Sequence, residues 1–410
     1  MAQQVSAQGR VAGGFEWLIR HRLAVFTVVA ILIGVSAGYI KAYGDDVFFL
    51  TAGRQLALGH LDKVFNNPSV QMGPVYLALA GLASVVSSAL GLDERIVFAG
   101  AAAGLVMPLL FAVARRLIPL LAPSCDDRAL HVREVVVAAV VTLGGPLFIT
   151  ATFGHYEDLI VVLGITWAAL VASQGRAVSA GALLGLTASV KLWALLAVVV
   201  IMILPVLIKR VRAIFAMVAI LAVVYLPFLA TGEVATFKYH WIVYTTSPTA
   251  AFIAPLTFLG WSFRVGQGVI VVAVSAFALV ALRGAPTWRI WSVPTAIVAA
   301  RLLTDPQMLV YYWTPALTLI ALGLCVRPAA VRGGTVNPAL IIVPLATVAI
   351  TIQQLLQPAS LPVERALAFG NGVGSVALIA AAIVIGRSNR QAADPGLLPM
   401  RGVELERVSA

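Results

Sequence analysis

The chain has 410 residues, of which 61% are hydrophobic and only 11% charged, and its mean hydropathy is +0.98. A soluble domain of that composition has too little polar surface to cover itself. Repeated apolar stretches of about 18–22 residues match a bilayer core, so the sequence predicts an all-α polytopic membrane protein. The short alternating segments of a β-barrel are absent. The net charge of +11 comes from short basic clusters between apolar runs, which is the positive-inside pattern and not a nucleic-acid surface.

The N-terminal segment RHRLAVFTVVAILIGVSAGYI places basic residues before an apolar core without a small-residue cleavage site, which predicts an uncleaved first helix over about 23–40. His21 and Arg22 then mark its inner side, and a first outer loop over 41–95 follows. That loop opens on Asp45 and Asp46, continues through the apolar Phe48, Phe49, Leu56 and Leu58, and then carries Asn66-Asn67-Pro68 and Gly73-Pro74. If the next apolar stretch, Val75–Leu90, crossed the membrane, Arg115, Arg116 and the loop 128–133 would fall outside, against the charge rule. A helix lying in or dipping into the outer leaflet restores the register of everything after it. Its short length and Ser84, Ser87 and Ser88 suit that placement.

Spans are then expected at about 96–117, 134–152, 158–173, 177–190, 192–208, 213–230, 265–282, 289–303, 308–325, 337–355 and 368–386. With the first helix they make twelve, put both termini in the cytoplasm and leave a second large outer loop at 231–263. Shorter outer turns fall at 153–158, 191, 304–307 and 356–367. This assignment collects a large excess of Lys and Arg on one side and near balance on the other. Residues 1–386 read as one transmembrane domain and 387–410 as a polar, disordered cytoplasmic tail. Cys125 and Cys325 fall in cytoplasmic loops, where thiols stay reduced.

Charge near membrane depth is costly, so each such group is a candidate for function. Asp45 and Asp46, at the outer end of a helix, suit a general base toward a hydroxyl, or else a solvated pair capping the next segment. His155, Glu157 and Asp158, in Gly154-His155-Tyr156-Glu157-Asp158, suit a divalent metal, an acceptor or a phosphate site, or else ordinary turn chemistry. Lys191 is the only charge between Arg176 and Lys209 and suits a phosphate partner, or else a lysine snorkelling to the interface. In the second outer loop His240 and Arg264 are the site candidates, while Trp241 and Trp261 read as interface anchors. Arg301 pairs with Asp305 at i,i+4 or contacts phosphate, with Tyr311 and Tyr312 at the same outer turn. No P-loop, GxSxG, HExxH or dinucleotide fingerprint is present. Chemistry on an outer face has no access to cytoplasmic nucleotide sugars, so an activated group must arrive on a lipid.

The Asp in Gly44-Asp45-Asp46, the apolar helix ending near Gly59, Asn67-Pro68 leading to Gly73-Pro74, the acidic second outer turn and the lysine of Ala188-Ser189-Val190-Lys191 together resemble a C-type (GT-C) membrane glycosyltransferase. Within that superfamily the pattern over about 20–325 is most similar to actinobacterial polyprenyl-phosphate-mannose-dependent α-mannosyltransferases. The resemblance implies a GT-C-like bundle with juxtamembrane helices in the first outer loop. It also implies an inverting transfer of a sugar, mannose favoured, from a polyprenyl-phosphate donor to a lipid or cell-envelope glycan acceptor on the non-cytoplasmic face of a bacterial plasma membrane. Asp45 would be the base with Asp46 orienting it; Lys191, Arg301, Arg264 and His240 would hold the donor phosphate. His155, Glu157, Asp158, Tyr311 and Tyr312 would contact acceptor or donor sugar. No cofactor is implied, because cations facing a phosphate make a metal dispensable. The doubled Asp departs from the family pattern. Competing readings are a secondary transporter or lipid flippase, which needs charge along a path to both faces, and a non-catalytic membrane assembly protein.

Overall fold

The computed structural model describes residues 2–40, 44–232, 234–326, 329–331, 334–355 and 361–388. Among them are fourteen α-helices. The first seven are α1 (Ala2–Ile40), α2 (Asp46–Ala57), α3 (Pro74–Leu90), α4 (Glu94–Leu121), α5 (Asp127–Leu143), α6 (Pro146–Phe153) and α7 (Tyr156–Ser173). The others are α8 (Ala177–Ala188), α9 (Leu207–Thr231), α10 (Trp261–Ala281), α11 (Pro286–Thr304), α12 (Thr314–Leu324), α13 (Ala339–Leu355) and α14 (Leu361–Ser388). Seven helical segments are long and apolar enough to cross a membrane: α1, α4, α5 with α6, α7, α9, α10 and α14. The protein is thus a membrane protein of the all-α class, its described residues adding to the helices only two short antiparallel strand pairs. The tail expected over 387–410 lies outside the described residues beyond Ser388.

Helix ends follow local chemistry. Asp93 and Asp126 cap α4 and α5 by accepting from the backbone N–H of Arg95 and Ala129. Pro74 opens α3, and Gly91 closes it in the left-handed conformation at φ +66°. Two expected spans differ from the structure. The helix expected over 134–152 is broken at Gly144–Gly145, where Gly145 takes φ +109° with Thr347 against it. The span expected over 192–208 is a 3₁₀ helix, Leu192–Ile203, and α9 begins at Leu207, six residues before the expected 213. Pro205 explains the break, since the residue before a proline is driven out of the helical region and Leu204 sits at ψ 134°.

α7 and α11 are buried almost along their whole length and form the centre of the bundle. α1, α9, α10 and α14 lie outside, and their exposed residues, among them Leu32, Phe215, Val265 and Phe369, are as apolar as the buried ones. Lipid supplies no hydrophobic drive between helices, so close backbone approach has to do the packing. Gly34 and Gly38 of α1 face α4, where a Cβ on Gly34 would lie 2.4 Å from the Ala99 carbonyl oxygen. Gly181 of α8 meets α9 in the same way, 1.9 Å from the Ala213 carbonyl oxygen.

The two long loops are tied into one cap. The Phe65 carbonyl accepts from Ala235 N at 2.9 Å, and the Val70 carbonyl accepts from Thr236 Oγ1 at 2.7 Å. The first loop also pairs with the α8 exit: Gly73 N donates to the Val190 carbonyl at 2.8 Å and Val75 N to Ser189 at 3.0 Å, with Met72 opposite Lys191 in a β-bridge.

Candidate functional site

A cavity of about 580 Å³ lies beneath this cap, and Asp45, His155, Lys191, Arg264, Arg301, Tyr311 and Tyr312 all line it. Residues spread over more than 260 positions converge because each sits at an end of its element, the start of some and the finish of others. Asp45 precedes α2, His155 occupies the corner between α6 and α7, and Glu157 and Asp158 fill the first turn of α7. Carboxylates are favourable at a helix N-terminus. Lys191 follows α8, Arg264 begins α10 and Arg301 ends α11. Gly154, at φ +74°, makes the α6–α7 corner, and a Cβ there would lie 3.2 Å from Asp46 Cβ, so α2 starts directly against the corner.

The polar groups form one connected chain. His155 Nε2 is 3.2 Å from Asp45 Oδ2, and His155 Nδ1 is 2.6 Å from Glu157 Oε1. The same Glu157 oxygen accepts from Lys191 Nζ at 2.8 Å, and Lys191 reaches Asp158 Oδ1 and Oδ2 at 3.1 and 3.2 Å. Asp158 also accepts from Trp193 Nε1 at 2.7 Å. Arg301 lies 4.0 Å from Asp158 and 3.7 Å from Asp305, the latter being the expected i,i+4 pair. Arg264 Nη1 donates to Asp305 Oδ2 at 3.2 Å and to Gln267 Oε1 at 2.8 Å.

Aromatic faces hold the cations. Arg301 lies over Trp193 at 4.6 Å and Tyr312 at 4.7 Å, and Arg264 lies over Trp241 at 4.3 Å. His155 stacks on Tyr311 with ring centres 3.8 Å apart. Trp241 is thus buried beneath an arginine, where the sequence suggests an interface anchor. Trp193 and Gln267 are site residues that the sequence reading misses. Their only signals are position: Trp193 two residues after Lys191, and Gln267 one helical turn after Arg264.

Burial differs along the chain. Asp45 keeps 55% of its side chain exposed at the cavity mouth, whereas His155 keeps 4% and Glu157 and Asp158 none. The hydrogen bond from His155 holds the Asp45 carboxyl below its ordinary range, and burial opposes this only in part. For His155, burial alone would lower the pKa, but the Glu157 and Asp45 carboxylates outweigh it and the net direction is upward.

Four candidates do not line the cavity: Glu157 and Asp158, expected to contact sugar, are wholly buried and hold Lys191, and Asp46 and His240 lie off to the side. Asp46 turns toward Arg95, 4.0 Å away, and is not part of the wall. Helical geometry accounts for this, because adjacent residues at a helix start point about 100° apart. His240 is exposed beside Gly260, outside the cavity lining. A divalent metal at His155, Glu157 and Asp158 has suitable ligand atoms, all within 4.8 Å of one another, but the Lys191 ammonium already lies against both carboxylates. Cys125 and Cys325 are both free thiols. Compared with models of known protein families and with curated protein sequences, the chain matches none.

Proposed function

We propose that the protein is an integral-membrane glycosyltransferase. It moves a sugar, mannose favoured, from a polyprenyl-phosphate donor to a lipid-linked or cell-envelope glycan acceptor. The reaction runs at the non-cytoplasmic face of a bacterial plasma membrane, in a GT-C-like bundle of about twelve spans with cytoplasmic termini. The observation that carries this reading is a half-exposed carboxylate, Asp45, facing a cavity whose other walls bear Lys191, Arg264 and Arg301. A base at the mouth and cations within are the two parts that displacement of a phosphate by a hydroxyl requires.

In the reaction the acceptor oxygen bonds to the anomeric carbon and the bond from that carbon to the phosphate oxygen breaks. The electron pair leaves with the phosphate, and Asp45 takes the hydroxyl proton. A single displacement inverts the configuration. The lowered basicity of Asp45 is sufficient here, because the hydroxyl turns strongly acidic as its oxygen bonds to an oxocarbenium-like carbon. Being ionised through the neutral range, Asp45 is always ready to accept. His155 holds Oδ2, which leaves Oδ1 for the acceptor. Lys191 has its ammonium engaged by Glu157 and Asp158, so the leaving phosphate falls to Arg264 and Arg301 more than to the lysine.

Purified protein incubated with radiolabelled polyprenyl-phosphate mannose and a membrane-lipid extract yields a labelled product. Asp45→Asn lowers turnover by about 10²–10⁴-fold, the usual contribution of a general base, with polyprenyl-phosphate affinity retained. Absence of product with mannose, arabinose and glucose donors alike, or an undiminished Asp45→Asn variant, refutes the proposal.

A further inference from the structure

Glu157 and Asp158 are two fully buried carboxylates on adjacent residues, and with one nitrogen of His155 they bring three ligand atoms within 4.8 Å of one another. Two carboxylates and an imidazole are the donor set that Mn²⁺ or Zn²⁺ takes. One Glu157 oxygen, Oε2, is buried without a hydrogen-bond partner, so the set has a donor atom left over. In this protein the cation against both carboxylates is an ammonium, 2.8 Å from Glu157 and 3.1 Å from Asp158.

We infer that Lys191 is a built-in counter-cation seated in a cradle of divalent-metal type, and that removing its ammonium turns the cradle into a metal site. The ammonium does for Glu157 and Asp158 what a metal does in such a set: it offsets their charge and fixes them in place. Glu157 then stays on His155, and Asp158 stays on Trp193. Arg301, at 4.0 Å, is too far to replace it in both roles. Lys191 is on this account a positioning residue acting through Glu157, whether or not the protein transfers sugar.

The test uses full-length protein in detergent, stripped with a chelator and titrated with Mn²⁺. Bound metal is counted by mass spectrometry and the unfolding midpoint is followed. Wild type takes up no stoichiometric Mn²⁺. Lys191→Ala binds one ion per chain, its midpoint rises by about 5 °C at a hundredfold excess over Kd, and added Asp158→Asn abolishes both effects. If Lys191→Ala does not fold, the charge-balanced pair Lys191→Met with Asp158→Asn recovers monodisperse protein. The inference is overturned if Lys191→Ala takes up no more Mn²⁺ than wild type, or if wild type itself binds one ion in a manner that Asp158→Asn removes. It is equally overturned if Lys191→Ala fails to fold and the balanced pair folds no better. None of these readouts involves sugar transfer, so they stand or fall apart from the proposed activity.

Discussion

Gly73→Ala tests whether the strap from the first long loop holds the cavity together. The glycine is at φ −81°, so conformational strain is not its reason; close approach is. An added Cβ would lie 2.1 Å from the Ser189 carbonyl oxygen and 2.8 Å from the Tyr225 hydroxyl. The carbonyl belongs to the backbone and cannot rotate away, so the strap must lift by about 1 Å to reach ordinary contact. Lifting breaks the bonds from Gly73 N to Val190 and from Val75 N to Ser189, at about 1 kcal/mol each. Residual crowding adds about 1–3 kcal/mol, so the total is about 3–5 kcal/mol. Thermal unfolding in detergent reads this as a midpoint lowered by several degrees. Limited proteolysis reads it as faster cleavage between residues 59 and 73. Gly266→Ala is the control, since nothing lies within 4 Å of its added Cβ in the middle of a helix, and it is neutral or stabilising by up to about 1 kcal/mol. Equal midpoints for the two variants would refute the strap.

The pair Asp45–His155 sets a pH dependence. The folded pKa of His155 is raised, so its contribution is fully present below the unfolded value of 6.5 and is lost as pH rises above it through the folded value. The folded pKa of Asp45 is lowered, so its contribution is present above 3.8 and is lost as pH falls below that. Unfolding midpoints therefore decline on the alkaline side of 6.5, and His155→Gln flattens that limb; an unchanged slope counts against the pairing. At the far end of the bundle Arg22 and Glu134 form an ion pair at 2.5 Å with Glu134 buried, so Glu134→Ala strands the arginine and costs about 3–5 kcal/mol by denaturant or thermal unfolding. Arg264→Lys keeps the charge but loses the planar fork over Trp241, so under the proposed function it weakens binding of a polyprenyl-phosphate probe by about tenfold in a competition assay.

Much of the site can be read from the sequence because charge is rare in this chain. When only 11% of residues are charged, those at the ends of apolar runs stand out, and Asp45, His155, Lys191, Arg264 and Arg301 line one cavity. The helices were legible for the same reason, as long apolar runs. Two kinds of feature were not. Side-chain direction within a doublet depends on where the helix starts, so Asp45 reaches the cavity while Asp46 turns to Arg95. Aromatic residues carry no mark of what they stack on, so Trp193 beneath Arg301 looks like any apolar neighbour of Lys191. The 3₁₀ run at 192–203 has the composition of an α-helix and leaves only Pro205 as a clue to where it stops.

On the proposed function, near-neutral charge pairing bears on how the cavity would take a phosphate. Glu157 and Asp158 engage Lys191, and Asp305 engages both Arg264 and Arg301. A cavity of unpaired cations in a bilayer would carry a desolvation cost of several kcal/mol per ion, so the resting pairs are a condition of folding. An entering phosphate must then win by sharing a cation and not by meeting a free one. Arginine is suited to sharing and lysine is not: the Lys191 ammonium already makes three contacts with its two carboxylates. Arg264 commits Nη1 alone to Asp305 and Gln267, which leaves the Nε and Nη2 donors of its planar fork. Asp305 in turn fixes the plane of that fork before any ligand arrives, so the same contact that neutralises the guanidinium also orients it. The division of labour follows from donor count: the lysine holds the acidic turn of α7 in place, and under the proposed function the arginines are the cations with donors left for a phosphate.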